Sequence, residues 1–101
     1  MYQKMQMEAG LADFRRREDA LLIDVRNPSE YASGHIPGSE NFAMSRILKE
    51  AEEAFPDKSR PMYVYCQSGA RSARAGKLLD LLGYESVTDL GGIAAYTGPK
   101  E

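Results

Sequence analysis

Among 101 residues there is one cysteine, one histidine and no tryptophan. One cysteine rules out an intrachain disulfide and any cysteine-rich metal site. A single unpaired thiol fits a reducing compartment, so a cytoplasmic location is expected. An excess of one charge is also missing. Thirteen Lys and Arg stand against 15 Asp and Glu, net −2, which gives no basic surface for nucleic acid or an anionic membrane. No apolar run is long enough to span a bilayer, and the N-terminal MYQKMQMEAGLADF has no apolar signal core. Internal repeats, linkers and low-complexity tracts are absent too. What is there, 43% hydrophobic and 28% charged residues, describes one globular domain over residues 1–101. A chain of this size can bury a core without disulfides or metals.

The hydrophobic pattern alternates between strand-like and helix-like segments. Tyr2 to Met5 reads as a short edge strand. Met7, Leu11 and Phe14 recur at helical spacing, interrupted by Gly10, and the Arg15–Arg16–Arg17 run reads as a solvated helix end moderated by Glu18 and Asp19. ALLIDV (Ala20 to Val25) and PMYVYC (Pro61 to Cys66) are uninterrupted apolar runs, the signature of strands buried on both faces. Between them, Asn27 and Ser29 are candidate caps of a one-turn helix stopped at Gly34. Pro37-Gly38 marks a turn, and Glu40 to Phe42 a further short strand. Met44, Ile47, Leu48, Ala51 and Phe55 form one helical stripe ended by Pro56; Ala75, Leu78, Leu79 and Leu82 form another, with Gly83 placed for a C-terminal left-handed turn. ESVTDL is the next strand, and GGIAAYTG a closing turn or short helix. Strands alternating with helices in this way imply an α/β domain with a parallel sheet covered on both faces. Ligands in such sheets bind beyond the carboxyl ends of the strands, where Cys66, Asp24 and Arg26 all fall.

The lone cysteine is followed by QSGARS. Gln67, Ser68, Gly69, Ala70, Arg71 and Ser72 contain no proline, so each offers a backbone N–H. Small residues let the loop curl tightly, and the helix beginning near Arg71 or Ser72 turns its positive end toward the same point. Converging N–H groups make an anion-binding nest. Such a nest favours the thiolate of Cys66, which is the nucleophilic form. Arg71 and Arg74 lie in the first turns of that helix, where the helix dipole favours acids. Two guanidinium groups beside a nest point instead to a small anionic ligand. A strand-end cysteine would otherwise be a buried structural residue; the small-residue loop and misplaced arginines favour a reactive one.

These residues resemble the rhodanese-like family, the sulfurtransferases that carry sulfur as a cysteine persulfide. LLIDVRNPSEYASGHIPGSENF is similar to the family's first half, and VYCQSGARSARAGKLLDLLGYESVTDLGG to its active-loop half. The resemblance implies a central five-stranded, mainly parallel sheet with helices on both faces. It implies Cys66 as the sulfur-accepting nucleophile, with Gln67, Ser68, Gly69, Ala70, Arg71 and Ser72 as the substrate cradle and Arg71 binding the donor anion. The implied partners are a small anionic sulfur donor such as thiosulfate and a thiol or cyanide acceptor, including a protein thiol, with no cofactor, metal, nucleic acid or membrane. Many relatives carry tryptophan or another large residue after the Gly-Gly pair; here Ile93 and Tyr96 stand in that region.

Other polar residues near the crevice read as structural. Asp24 is expected to accept loop N–H groups, Arg26 to pair with Glu30, His35 to fix the GHIPG turn, Ser72 to cap the helix or donate into the cradle, and Gly91 and Gly92 to permit close backbone approach. Two other functions compete. One is a non-catalytic rhodanese-like binding module, disfavoured because Cys66 and its loop are present. The other is a Cys-loop phosphatase, disfavoured because four residues rather than five separate Cys66 from Arg71.

Overall fold

The computed structural model describes residues 1–101. Its elements are β1 (Tyr2–Lys4), α1 (Met7–Arg15), β2 (Leu21–Asp24), α2 (Pro28–Ser33), β3 (Glu40–Asn41), a 3-10 turn (Met44–Arg46), α3 (Ile47–Ala54), β4 (Met62–Cys66), α4 (Ala70–Leu81), β5 (Val87–Gly92) and a second 3-10 turn (Ile93–Ala95). The five strands form one sheet in the order β1-β5-β4-β2-β3. Every pairing between neighbours is parallel.

The uninterrupted apolar character of β2 and β4 follows from their place in this sheet. All residues of both strands are buried. Leu21, Ile23, Val25, Met62, Val64 and Cys66 pack on one face with Ile47 and Ala51 of α3 and Ala75 and Leu79 of α4. Leu22, Tyr63 and Tyr65 pack on the other with Met7 and Leu11 of α1 and the closing residues Ile93 and Tyr96. Period-two side-chain alternation thus feeds two cores, one on each face. Gly10 interrupts the α1 pattern for a steric reason: a Cβ there would lie 2.1 Å from Leu90 Cδ2 on β5.

Several local readings change. β5 runs through Gly91 and Gly92 rather than ending at Leu90, and its register against β4 shifts between Val64 and Cys66. Leu48 leaves the apolar stripe and is 64% exposed. Residues Met44–Arg46 form the tighter 3-10 turn, which advances the helical phase. Ile47 and Ala51 then face the sheet while Leu48 rotates outward. Asn27 is the cap of α2, with Glu30 Oε1 accepting its N–H at 2.9 Å; Ser29 is exposed, and its carbonyl accepts the Ser33 hydroxyl. The arginine run is moderated chiefly by Asp13, one turn back on α1, which pairs with Arg16 and Arg17. The α3 terminus is closed by Tyr84, whose hydroxyl donates to the carbonyls of Ala51 and Phe55.

Candidate active site

β4 delivers Cys66 to the carboxyl edge of the sheet, and the chain turns through Gln67, Ser68 and Gly69 into α4 at Ala70, slightly earlier than the Arg71 or Ser72 start expected. Gly69 caps the helix with φ +108°, a left-handed conformation that glycine adopts without a Cβ clash. That fold-back aims the Gly69 N–H at Cys66 Sγ, 2.9 Å away. Ser72 Oγ lies 3.5 Å from the sulfur, placed to accept the thiol proton. Its own hydroxyl donates to Gly69 O at 3.1 Å, with Gly91 O at 3.4 Å. The N–H groups of Gln67, Ser68, Ala70, Arg71 and Ser72 donate to no backbone or side-chain acceptor. The loop therefore brings one amide onto the sulfur and keeps its other donors free. Cys66 itself is 0% exposed, while Gln67, Ser68 and Ala70 are exposed above it.

The end of β5 forms the wall against which this loop rests. A Cβ on Gly92 would stand 2.4 Å from Gln67 O and 2.8 Å from Ser68 Cα. Ala94 N–H donates to Gln67 O at 3.4 Å. Only a glycine lets the two backbones pass this closely.

A buried ion pair supports the loop from the other side. Asp24 and Arg26 are 0% and 4% exposed, with Arg26 Nη2 2.7 Å from Asp24 Oδ2 and Arg26 N–H donating to Asp24 Oδ1 at 2.9 Å. Arg26 also donates to Gly34 O at 2.7 Å and to Gln67 Oε1 at 3.2 Å. The expected Arg26–Glu30 pair does not form. Arg26 turns inward to Asp24, two residues earlier, and leaves Glu30 to α4.

Glu30 takes Arg71 instead, with Nη1 to Oε1 at 2.7 Å and Nη2 to Oε2 at 2.9 Å. The guanidinium expected to hold the donor anion is forked on a carboxylate. Arg71, together with the Asn27 N–H, pushes the Glu30 carboxyl down to about 2, and Glu30 in turn raises Arg71 above its ordinary value. Arg74 is exposed and makes no ion pair. His35 does not approach Cys66: its ring stacks on Tyr31 at 3.7 Å, Nδ1 lies 2.9 Å from Tyr31 O, and its backbone exchanges hydrogen bonds with Glu101. The turn-fixing reading of His35 fits these contacts. The Arg26–Gln67 link and the Glu30–Arg71 pair were not foreseen. The signal for Glu30 was the N-P-S-E cap spacing, which marks where it sits but not what it faces.

A family model described as "Rhodanese-like domain" matches residues 8–98. This chain belongs to the rhodanese-like family. A thiosulfate sulfurtransferase of Escherichia coli K12 is 35% identical over 78 residues, covering 77% of this chain and 75% of the relative. A sulfurtransferase of Allochromatium vinosum is 42% identical over 80 residues, covering 78% and 73%. Among solved structures, a rhodanese with anions from E. coli superposes with a TM-score of 0.74 at 33% identity, covering 81% of this chain and 96% of that one. The rhodanese-like sheet and its helical layers account for the architecture, and the loop after β4 carries the chain's single thiol.

Proposed function

We propose that this chain is a sulfurtransferase that carries sulfane sulfur as a persulfide on Cys66. The observation that supports this most is the Gly69 N–H on Cys66 Sγ at 2.9 Å within a loop whose remaining N–H groups have no protein acceptor. Such a site stabilises a sulfur anion and spends no reorganisation in doing so. The names of the relatives support sulfur transfer as the class of reaction.

In the first half-reaction the Cys66 thiolate attacks the outer sulfur of thiosulfate. A bond forms between Sγ and that sulfur, the donor's S–S bond breaks, and its electron pair leaves with sulfite. The persulfide's terminal sulfur then carries the negative charge, and the free N–H groups of Gln67, Ser68, Ala70, Arg71 and Ser72 are the donors available to it. Ser72 Oγ, 3.5 Å from the sulfur, can turn its one proton from Gly69 O toward the anion once the thiol proton has gone. In the second half-reaction an external thiol, as thiolate, or cyanide attacks the terminal sulfur and regenerates the Cys66 thiolate. No second cysteine exists to resolve the persulfide within the chain. Two half-reactions on one covalent carrier predict ping-pong kinetics.

The test is the mass of the intact protein after thiosulfate treatment. A gain of one sulfur atom, removed by cyanide with thiocyanate released, is expected for the natural sequence and not for Cys66→Ser. Sulfur retained by Cys66→Ser, or none taken up by the natural chain, would overturn the proposal.

A further inference from the structure

The mouth of the Cys66 loop contains two arginines, and both are already committed. Arg26 is buried against Asp24, and Arg71 is bidentate on Glu30. Each pair sums to zero charge. The remaining cation of the first turns, Arg74, is exposed and therefore largely screened by solvent. Glu30 and Arg71 are only partly covered, at 29% and 33% side-chain exposure, so their charges act on whatever approaches the loop. With its carboxyl pushed down to about 2, Glu30 stays ionised throughout the working pH range, so titration does not free the Arg71 guanidinium from the pair.

We propose that Glu30 is a specificity-determining residue: by holding Arg71 it keeps the mouth of the loop electrically neutral and tilts donor choice from dianionic thiosulfate toward sulfane donors with a single negative charge. This rests on the sulfurtransferase reading above. An alkylthiosulfonate is the matched comparison, because its sulfane sulfur is transferred in the same way. Sγ bonds to the outer sulfur, the S–S bond breaks, and the electron pair leaves with a sulfinate in place of sulfite. The two donors differ chiefly in charge. A free Arg71 charge would attract the dianion more strongly than the monoanion, and pairing with Glu30 cancels that advantage.

Glu30→Gln tests this cleanly. The amide oxygen can still accept the Asn27 N–H that caps α2, so the substitution removes charge while keeping the cap. The measured quantity is the ratio of kcat/KM for thiosulfate to kcat/KM for methanethiosulfonate. Glu30→Gln is expected to raise that ratio roughly three- to tenfold, with a steeper fall at high salt. Arg71→Gln, which leaves the Glu30 charge unpaired, is expected to lower it by a similar factor, and the double variant to return near the natural value. A ratio that stays fixed in both single variants overturns the proposal, as does an equal loss with both donors, which would make the pair a structural clamp only. If the natural chain takes sulfur from neither donor, the sulfurtransferase reading itself fails, a result distinct from uptake with an unmoved ratio.

Discussion

Gly92 and Gln67 meet where a methyl group has no room, and the contact is backbone against backbone, so no flexible side chain can yield. Gly92→Ala should displace the 67–69 segment. We expect a loss of about 1–3 kcal/mol in chemical denaturation and a roughly ten- to hundredfold slower sulfur uptake, since small displacements of reacting groups are costly. An alanine variant with unchanged stability and uptake would show that the loop and β5 separate freely. Arg26 gives a second test at this scale. Its removal leaves the fully buried Asp24 charge without its partner. Arg26→Met should therefore cost about 3–5 kcal/mol, read from the shift in urea midpoint, and should loosen Gln67 at the same time.

At the scale of elements, α2 and α4 are tied by a pair that also governs acid stability. Glu30 titrates below its ordinary value of 4.5, at about 2. A carboxyl depressed on folding contributes stability that is present above 4.5 and lost as pH falls from there toward 2. Asp13, Glu50 and Asp57 are depressed too, so the natural chain loses stability on acidification from several groups. Glu30→Gln should flatten part of that acid limb, measured as the dependence of urea midpoint on pH; an unaltered limb would mean Arg71 does not hold Glu30 in solution. The same pair shows where sequence reading stopped. β2 and β4 were legible because burial on both faces leaves unbroken apolar runs, and the helices of α1, α3 and α4 because their stripes follow a 3.6-residue period. The loop was legible because a cysteine, small residues and arginines lie consecutively in the chain. Glu30 and Arg71 are 41 residues apart, and no local pattern specifies which acid will meet which base. The end of β5 was misplaced because Gly91 and Gly92 have turn composition; their role is to let another backbone pass, which only the assembled sheet requires. Leu48 was misplaced because a 3-10 turn shifted the helix phase.

For the whole molecule, one sheet separates two cores that share strands but not helices. Leu11→Ala on one side and Leu79→Ala on the other should each cost about 2–5 kcal/mol. Their effects should add in the double variant, because the side chains lie on opposite faces; strong coupling between them would argue that the sheet transmits packing strain. The sealed position of Cys66, with no exposed surface, carries a last consequence. On the proposed mechanism, sulfur bonded there would sit away from bulk solvent, behind the exposed Gln67 and Ser68. On that mechanism an acceptor reaches the sulfur only when the 67–69 segment gives way, so the unloading rate should level off as acceptor concentration climbs, and a slender reagent such as iodoacetamide should label the resting thiol sooner than a bulky aromatic disulfide.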